Sequence, residues 1–259
     1  MTSYLDTLYN VSGKVIAVTG AGGHLCSAMA LGAAKAGARV VAMDMRSQKL
    51  PVVEKSIRDN GGECLPLTLD VGEKSQFQSC LEKAIAEFDH VDVLINGAGM
   101  NSPSPIMDVS GQEWDQILSV NLRGTLFGCQ VFGAHMIERR KGSIINISSA
   151  SSGPPLSKAF TYSVSKAGVV NLTQNLAREW APHGVRVNAL RPGFFPTEWN
   201  QKNFITPERA KAILGHTPMG RYGEPEELLG AVLWLASDAS SFVTGAEIAV
   251  DGGFAAMTV

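Results

Sequence analysis

The stretch KVIAVTGAGGHLCSAMALGAAKAGARVVAMD, residues 14–44, decides the fold of this 259-residue chain. Its first run, Lys14–Thr19, is apolar from Val15 to Val18 without polar alternation. A strand of that kind is covered on both faces, as in a parallel sheet. Glycines follow at 20, 22 and 23, then a segment rich in Ala, Leu and Met, Leu25–Ala36, that reads as helix, with Gly37 where it should end. A second apolar run, Arg39–Asp44, completes a strand–helix–strand unit, which closes as a right-handed crossover.

The same alternation continues outward. Further strand candidates are Glu63–Leu69, Val91–Asn96, Ser143–Ser148, Val185–Leu190 and Glu247–Asp251. Helical stretches lie between them at Gln48–Asn60, Glu73–Glu87, Trp114–Arg140, Ala159–Trp180 and Pro225–Ala236, and Gly61-Gly62 and Gly142 mark helix ends. The pattern predicts an α/β chain: a single doubly wound (Rossmann-type) domain over residues 1–259, with a seven-stranded parallel sheet flanked by helices. No linker, repeat or low-complexity segment divides it. Residues 191–222, rich in Pro, Gly and aromatics with one short helix candidate at Pro207–Gly215, read as a substrate loop or lid.

Apolar residues make up 45% of the chain and charged ones only 18%, below the usual quarter, which excludes disorder and suggests surface hidden in an oligomer. The net charge of −2 offers no basic field for nucleic acid or an anionic membrane. Cys26, Cys64, Cys80 and Cys129 are scattered, as a reducing compartment permits, and neither they nor the five histidines have metal-ligand spacing. Met1–Asn10 lacks a basic region and a long apolar run, and nothing approaches the roughly 18 apolar residues of a membrane helix, so a cytoplasmic protein without a metal is expected.

The glycines at 20, 22 and 23 let the backbone approach a pyrophosphate seated on the following helix N-terminus. Asp44, 24 residues beyond Gly20, can hold both ribose hydroxyls of an adenosine and repel a 2′-phosphate. That favours NAD over NADP, although Arg46 softens the preference. Asp70-Val71 and Asn96-Gly97-Ala98-Gly99 fall at the same carboxyl edge of the sheet and would border the adenosine half.

Tyr162 and Lys166 stand at i and i+4 on a helix, thirteen residues and more past Ser149 at a strand end. An ammonium beside a phenol lowers its pKa from about 10 towards neutrality. Such a tyrosine can pass a proton to or from a carbonyl or alcohol oxygen that Ser149 also hydrogen-bonds.

With these pieces in order, the chain resembles the short-chain dehydrogenase/reductase superfamily along nearly its whole length. The matching strings are TGAGG (19–23), NGAG (96–99), NLRG (121–124), ISS (147–149), YSVSK (162–166), RPGFFPT (191–197) and VDGG (250–253). The resemblance implies that Tyr162 is the general acid/base, that Lys166 binds the nicotinamide ribose and lowers the Tyr162 pKa, and that Ser149 orients the substrate oxygen. It implies a proton relay supported by Asn121, and a nicotinamide half held by Pro192, Gly193, Phe195 and Thr197. Two family glycines fall on His24 and Cys26. His24, with Leu25, then either crowds or contacts the pyrophosphate.

Within the superfamily, GGHLCSAMA (22–30), PLSKAFTYSVSKAGV (155–169), GFFPTEWN (193–200) and PMGRYGEPEELLGAVLWL (218–235) resemble the branch of fructuronate (mannonate) oxidoreductases and gluconate 5-dehydrogenases. That branch implies a sugar acid or polyol as substrate and a carboxylate that needs a cation: Lys158 first, with Arg191 or Arg221 behind it. Asn101, Ser151, Trp199 and Asn200 are further substrate-facing candidates. The expectation is an NAD-dependent alcohol–ketone oxidoreductase, and the resemblance implies a homotetramer packed through the helices around 114–140 and 159–180. The alternatives are an NADPH-dependent 3-oxoacyl carrier-protein reductase, disfavoured by Asp44 and the acidic balance, and a non-catalytic dinucleotide-binding regulator.

Overall fold

The computed structural model describes residues 4–153, 156–197 and 205–257. Strand β1 (Val15–Thr19) pairs in parallel with β2 (Arg39–Asp44) on one side and β4 (Val93–Asn96) on the other. Beyond β2 lies β3 (Cys64–Thr68), and beyond β4 follow β5 (Gly142–Ile147), β6 (Val185–Pro192) and β7 (Glu247–Val250). The order is β3-β2-β1-β4-β5-β6-β7, so the direction of winding reverses between β1 and β4. In open α/β sheets a crevice forms outside the carboxyl ends of the strands at that reversal.

The strands are apolar on both faces because both faces are covered. Ile16 and Val18 of β1 pack with Met29 and Ala30 of α2 (His24–Lys35), Val53 and Ile57 of α3 (Leu50–Asp59), and Val232 and Leu235 of the helix Leu229–Ala236. Val15 and Ala17, pointing the other way, join Phe77 of α4 (Lys74–Phe88), Phe132 and Met136 of the helix Gly124–Glu138, and Ala177 and Trp180 of the helix Phe160–Trp180. This period-two partition of one strand between two cores gives a single domain of three layers.

Helix α1 (Tyr4–Leu8) precedes the sheet and was not signalled by the sequence pattern. The expected single helix Trp114–Arg140 is instead α5 (Gly111–Leu118), a π-helical turn at Ser119–Arg123, and α6 (Gly124–Glu138). The Ser110 hydroxyl accepts the Glu113 N–H at 3.1 Å and starts α5 earlier than the apolar periodicity does. After α6, Arg140 rather than Gly142 takes the left-handed position, with φ 52°, because Gly142 is already paired in β5. α7 (Phe160–Trp180) and α8 (Pro207–Gly215) fall where expected, and α9 (Leu229–Ala236) is entered through a 3₁₀ turn, Pro225–Leu228.

α6 and α7 approach closely at Gly133. A Cβ there would lie 2.6 Å from both Cη2 and Cζ3 of Trp180, which is itself buried. Overpacking a rigid ring costs roughly 1–3 kcal/mol, and each kcal/mol lowers the Tm of a chain this size by roughly 2–4 °C. Gly133→Ala is therefore expected to lower the calorimetric Tm by several degrees; an unchanged Tm would show that the ring moves aside freely.

Candidate active site

At the sheet reversal, Thr19 joins the ends of β1 and β4. Its hydroxyl accepts the N–H groups of Gly97 at 3.0 Å and Ala98 at 3.1 Å. Gly20 follows with φ +71°, and a Cβ there would stand 2.8 Å from the Ala98 Cα. Only glycine fits, on both conformational and steric grounds. A Cβ on Gly22 would meet Asp44 Oδ2 at 2.9 Å and Lys49 Cβ at 2.6 Å. Gly23 caps α2 in extended conformation without a side-chain bond, and the first-turn N–H groups of His24, Leu25 and Cys26 have no acceptor within the helix. A bare backbone turn aimed along a helix axis suits a pyrophosphate, so the residues present fit a dinucleotide.

The two departures from the family's glycine pattern have different surroundings. His24 is exposed. Cys26 is buried against Gly97, where a Cβ would collide with its Sγ, so the room lost at 26 is returned at 97. Burial pushes the Cys26 thiol up to about 12, so it is an inert packing group.

Asp44 is 3% exposed, and both its oxygens are bonded within the protein. Oδ1 accepts the Arg46 backbone N–H at 2.8 Å and Nε at 3.1 Å; Oδ2 accepts the Gly22 N–H at 2.9 Å and Arg46 Nη2 at 3.2 Å. Burial raises its pKa, but the hydrogen bonds and charge of Arg46, with the Gly22 N–H, outweigh burial and hold the carboxyl below its ordinary value. Arg46 is thus a forked partner of Asp44, a pairing the sequence spacing did not show.

Other residues expected at the cofactor divide between lining and support. Asp70 Oδ1 accepts the Gly72 N–H at 2.8 Å, and Val71 packs where a Cβ on Gly124 would clash. The Asn96 side chain turns inward, donating to Asn146 Oδ1 at 2.9 Å, and Asn146 donates to Thr173 Oγ1 at 2.9 Å. That buried amide ladder ties β4, β5 and α7, so Asn96 supports the edge and its side chain does not line the cofactor crevice. Gly193 pairs with the Val250 carbonyl at 3.0 Å, and the Phe195 ring packs over Gly223 and the core. Thr197 ends the described part of this segment; Trp199 and Asn200 lie outside the described residues.

The four residues expected to be catalytic converge. Lys166, 3% exposed, donates to the Ile147 carbonyl at 2.8 Å and places its Nζ 5.6 Å from the Tyr162 ring centre. Burial pushes this ammonium down to about 8. The Tyr162 phenol moves the opposite way from the sequence expectation: burial raises its pKa, and a hydrogen bond from Ser149 only partly offsets this. Desolvating the phenolate outweighs what the nearby Ser149 hydroxyl offers it.

Ser149, extended at φ −163°, accepts the Ser151 N–H at 3.2 Å and the Ser151 hydroxyl at 3.1 Å, so its own proton is available to another acceptor. Ser151 is therefore a buried partner of Ser149. Asn121 sits fully buried in the π turn, where the wider backbone spiral turns it inward. Its Oδ1 accepts the Met100 N–H at 2.8 Å, and Nδ2 donates to the Met100 carbonyl and Ser165 Oγ, each at 2.9 Å. A Cβ on Gly99 would lie 3.4 Å from Asn121 Oδ1 and 3.6 Å from Lys166 Nζ, so one small residue separates the two. Asn101, next to Met100, is exposed.

A further group escaped sequence reasoning because its parts are distant in the chain. Glu247 Oε1 accepts from the hydroxyls of Ser148 at 2.9 Å and Ser152 at 2.8 Å, and Oε2 pairs with Arg191 Nη1 at 3.0 Å. The single Ser152 proton lies between this carboxylate and the Ser149 carbonyl, which is also 2.8 Å away. One carboxylate thereby holds both flanks of Ser149. Arg191, a candidate for binding a substrate carboxylate, is committed to this ion pair, and Arg221 is likewise committed to Glu227 at 2.8 and 2.6 Å. Lys158 is exposed in a left-handed turn, φ 58°.

Among the described residues no His, Cys, Asp or Glu group could hold a metal ion, and no helix is long and apolar enough to cross a membrane. A family model described as enoyl-(acyl carrier protein) reductase matches residues 20–255. The chain belongs to the short-chain dehydrogenase/reductase family and is an oxidoreductase of alcohol groups that requires a nicotinamide cofactor. It is 38% identical to the uncharacterized oxidoreductase UxuB of Bacillus subtilis, over 95% of this chain and 96% of the relative. It is 36% identical to the 2-dehydro-3-deoxy-D-gluconate 5-dehydrogenase of Escherichia coli (96% and 98% covered) and to the 3-oxoacyl-[acyl-carrier-protein] reductase FabG of Thermotoga maritima (94% and 98%). Among solved structures, a gluconate 5-dehydrogenase from Burkholderia cenocepacia in complex with NADP and tartrate superimposes with TM-score 0.93 at 32% identity, covering 98% of this chain and 100% of that one. An NAD⁺-bound xylitol dehydrogenase gives TM-score 0.88 at 30% identity, with 93% and 99% covered.

The Glu247 cluster has a measurable worth. Removing one partner of a fully buried ion pair costs about 3–5 kcal/mol, and the Arg191 and Glu247 side chains are 18% and 20% exposed. Glu247→Ala is expected to cost about 2–3 kcal/mol in a urea melt, and replacing Arg191 as well to recover part of the loss. Additive losses from the two substitutions would show that the pair is not coupled.

Proposed function

We propose that this chain is an NAD-dependent oxidoreductase that interconverts a secondary alcohol and a ketone on a sugar acid or polyol. The observation that carries the reading is the Tyr162 phenol, close to the Ser149 hydroxyl and flanked by the buried Lys166, at the carboxyl edge of the sheet where the glycine turn suits a dinucleotide. A bound nicotinamide supplies or accepts the hydride. Tyr162 gives a proton to the ketone oxygen in reduction and takes one from the alcohol in oxidation, so one hydride and one proton balance each turnover. Burial keeps the phenol protonated at neutral pH, the state that reduction uses. Ser149, oriented by Ser151, bonds the same substrate oxygen, and Asn121 fixes the backbone at Met100 beside Lys166.

Within this reading NAD is the preferred cofactor. Asp44 stays ionised, and its Arg46 partner can exchange for ribose hydroxyls without leaving a bare buried charge. The same arginine lets NADP bind more weakly. The sugar-acid assignment is supported by the gluconate-type relatives. Residues 191–222 would wall the substrate. A homotetramer in the cytoplasm completes the proposal, supported by Phe160 and Val164, exposed one turn apart on α7.

The test is initial-rate absorbance at 340 nm with NADH and NADPH against 5-ketogluconate, fructuronate, a neutral ketose and an acetoacetyl thioester. Turnover of a keto acid with NADH is expected, and a preference for the thioester with NADPH would turn the reading toward the FabG relative. Tyr162→Phe should lower kcat by at least about a hundredfold, the usual worth of a general acid, while NADH still binds by fluorescence. Asp44→Ala should shift the NADP/NAD ratio of kcat/KM upward by about tenfold, one pair of charge-assisted bonds; a wild type that already prefers NADP would overturn the role given to Asp44.

A further inference from the structure

Between α8 and the connection from β5 to α7 lies a cavity of about 400 Å³. Ser157, Phe194, Ile213 and Phe254 contribute to its walls, together with Arg209 of α8 and His216, the residue that ends that helix. Positions 209, 213 and 216 are spaced i, i+4, i+7 and so share one helical face. Helix α8 starts at the Thr206 cap, whose hydroxyl accepts the Arg209 N–H at 3.2 Å, and this sets the phase of that face. At the far end Phe254 packs edge-on against both Phe194, at 5.2 Å, and His216, at 4.7 Å.

Two walls of the cavity come from segments that also carry residues of the proposed active site. Ser157 lies on the segment between Ser149 and Tyr162, and Phe194 directly follows Pro192-Gly193. Arg209 Nη2 donates to the Ser157 carbonyl at 3.2 Å, so the guanidinium is held by the segment that precedes α7. It forms no ion pair among the described residues, and that single bond leaves most of its five donors available. A largely apolar pocket with a few placed polar groups orients a small ligand.

We propose that Arg209 binds the carboxylate of the substrate acid and that His216 bonds a hydroxyl of the same carbon chain. This inference rests on the sugar-acid reading and names its anchor, in place of Lys158, Arg191 and Arg221. The guanidinium fork matches a carboxylate in two-point geometry, which a lysine cannot reproduce.

The experiment compares wild type, Arg209→Gln, Arg209→Lys and Lys158→Ala with 5-ketogluconate and a neutral ketose of equal chain length, both with NADH. Arg209→Gln is expected to raise KM for the acid by about tenfold or more, with a much smaller change for the neutral ketose and in kcat. Arg209→Lys should recover part of the loss, and Lys158→Ala should leave the acid/neutral ratio close to wild type. Equal shifts for both substrates, or a larger ratio change in Lys158→Ala, would overturn the anchor while leaving the sugar-acid reading intact. A wild type that reduces the neutral ketose and not the acid would overturn that reading, and the anchor with it.

Discussion

Everything at the functional edge depends on how closely β1 and β4 approach at their carboxyl ends. Thr19 supplies the hydroxyl that both N–H groups of the Gly97-Ala98 turn need, and Gly20 supplies the missing Cβ that lets Ala98 sit against it. These two neighbours satisfy the backbone and open the crevice together. The sheet reverses its winding at the same point, so the space beyond is not filled by a crossover helix.

From that edge, buried polar groups carry the order outward to α7. Asn96, Asn146 and Thr173 hold β4, β5 and the helix in one hydrogen-bonded ladder. Lys166 reaches back to the Ile147 carbonyl at the end of β5. Buried polar chains are costly unless every member is bonded, and bonded ones specify a single register. Tyr162 and Lys166 are therefore presented to the crevice by a helix that cannot rotate without breaking these bonds. The same burial explains their electrostatics, since a phenol and an amine removed from water both favour their neutral forms.

The chain also shows how a motif tolerates change when a second position compensates. Cys26 stands at a glycine position of the family pattern, and Gly97 beside it has no side chain to meet the sulfur. Arg46 stands beside Asp44 and takes up its charge, so a buried acid persists at the end of β2 without an unpaired oxygen. Glu247 gathers Ser148, Ser152 and Arg191 beneath Ser149 in the same manner. Gly97 and Glu247 are brought in from other segments of the sheet edge, whereas Arg46 stands two residues along from Asp44.

The sequence by itself determined the alternation of strands and helices, because near-continuous apolar runs such as Val15–Val18 have no stable place except between two covered faces. It also determined the Tyr162–Lys166 pair, whose spacing is a property of the helix alone. Helix interruptions and left-handed positions were less legible: the π turn at Asn121 and the turn at Arg140 arise where packing against Met100 and early pairing of Gly142 override periodicity. Only the tertiary structure decided that Asn96 faces inward, that Arg191 and Arg221 are already paired, and that Glu247 lies under Ser149. It also decided that Arg209 meets Ser157 across a cavity. These are contacts between segments tens of residues apart, and a charge's partner, unlike a helix's period, is set by three-dimensional distance rather than by spacing along the chain.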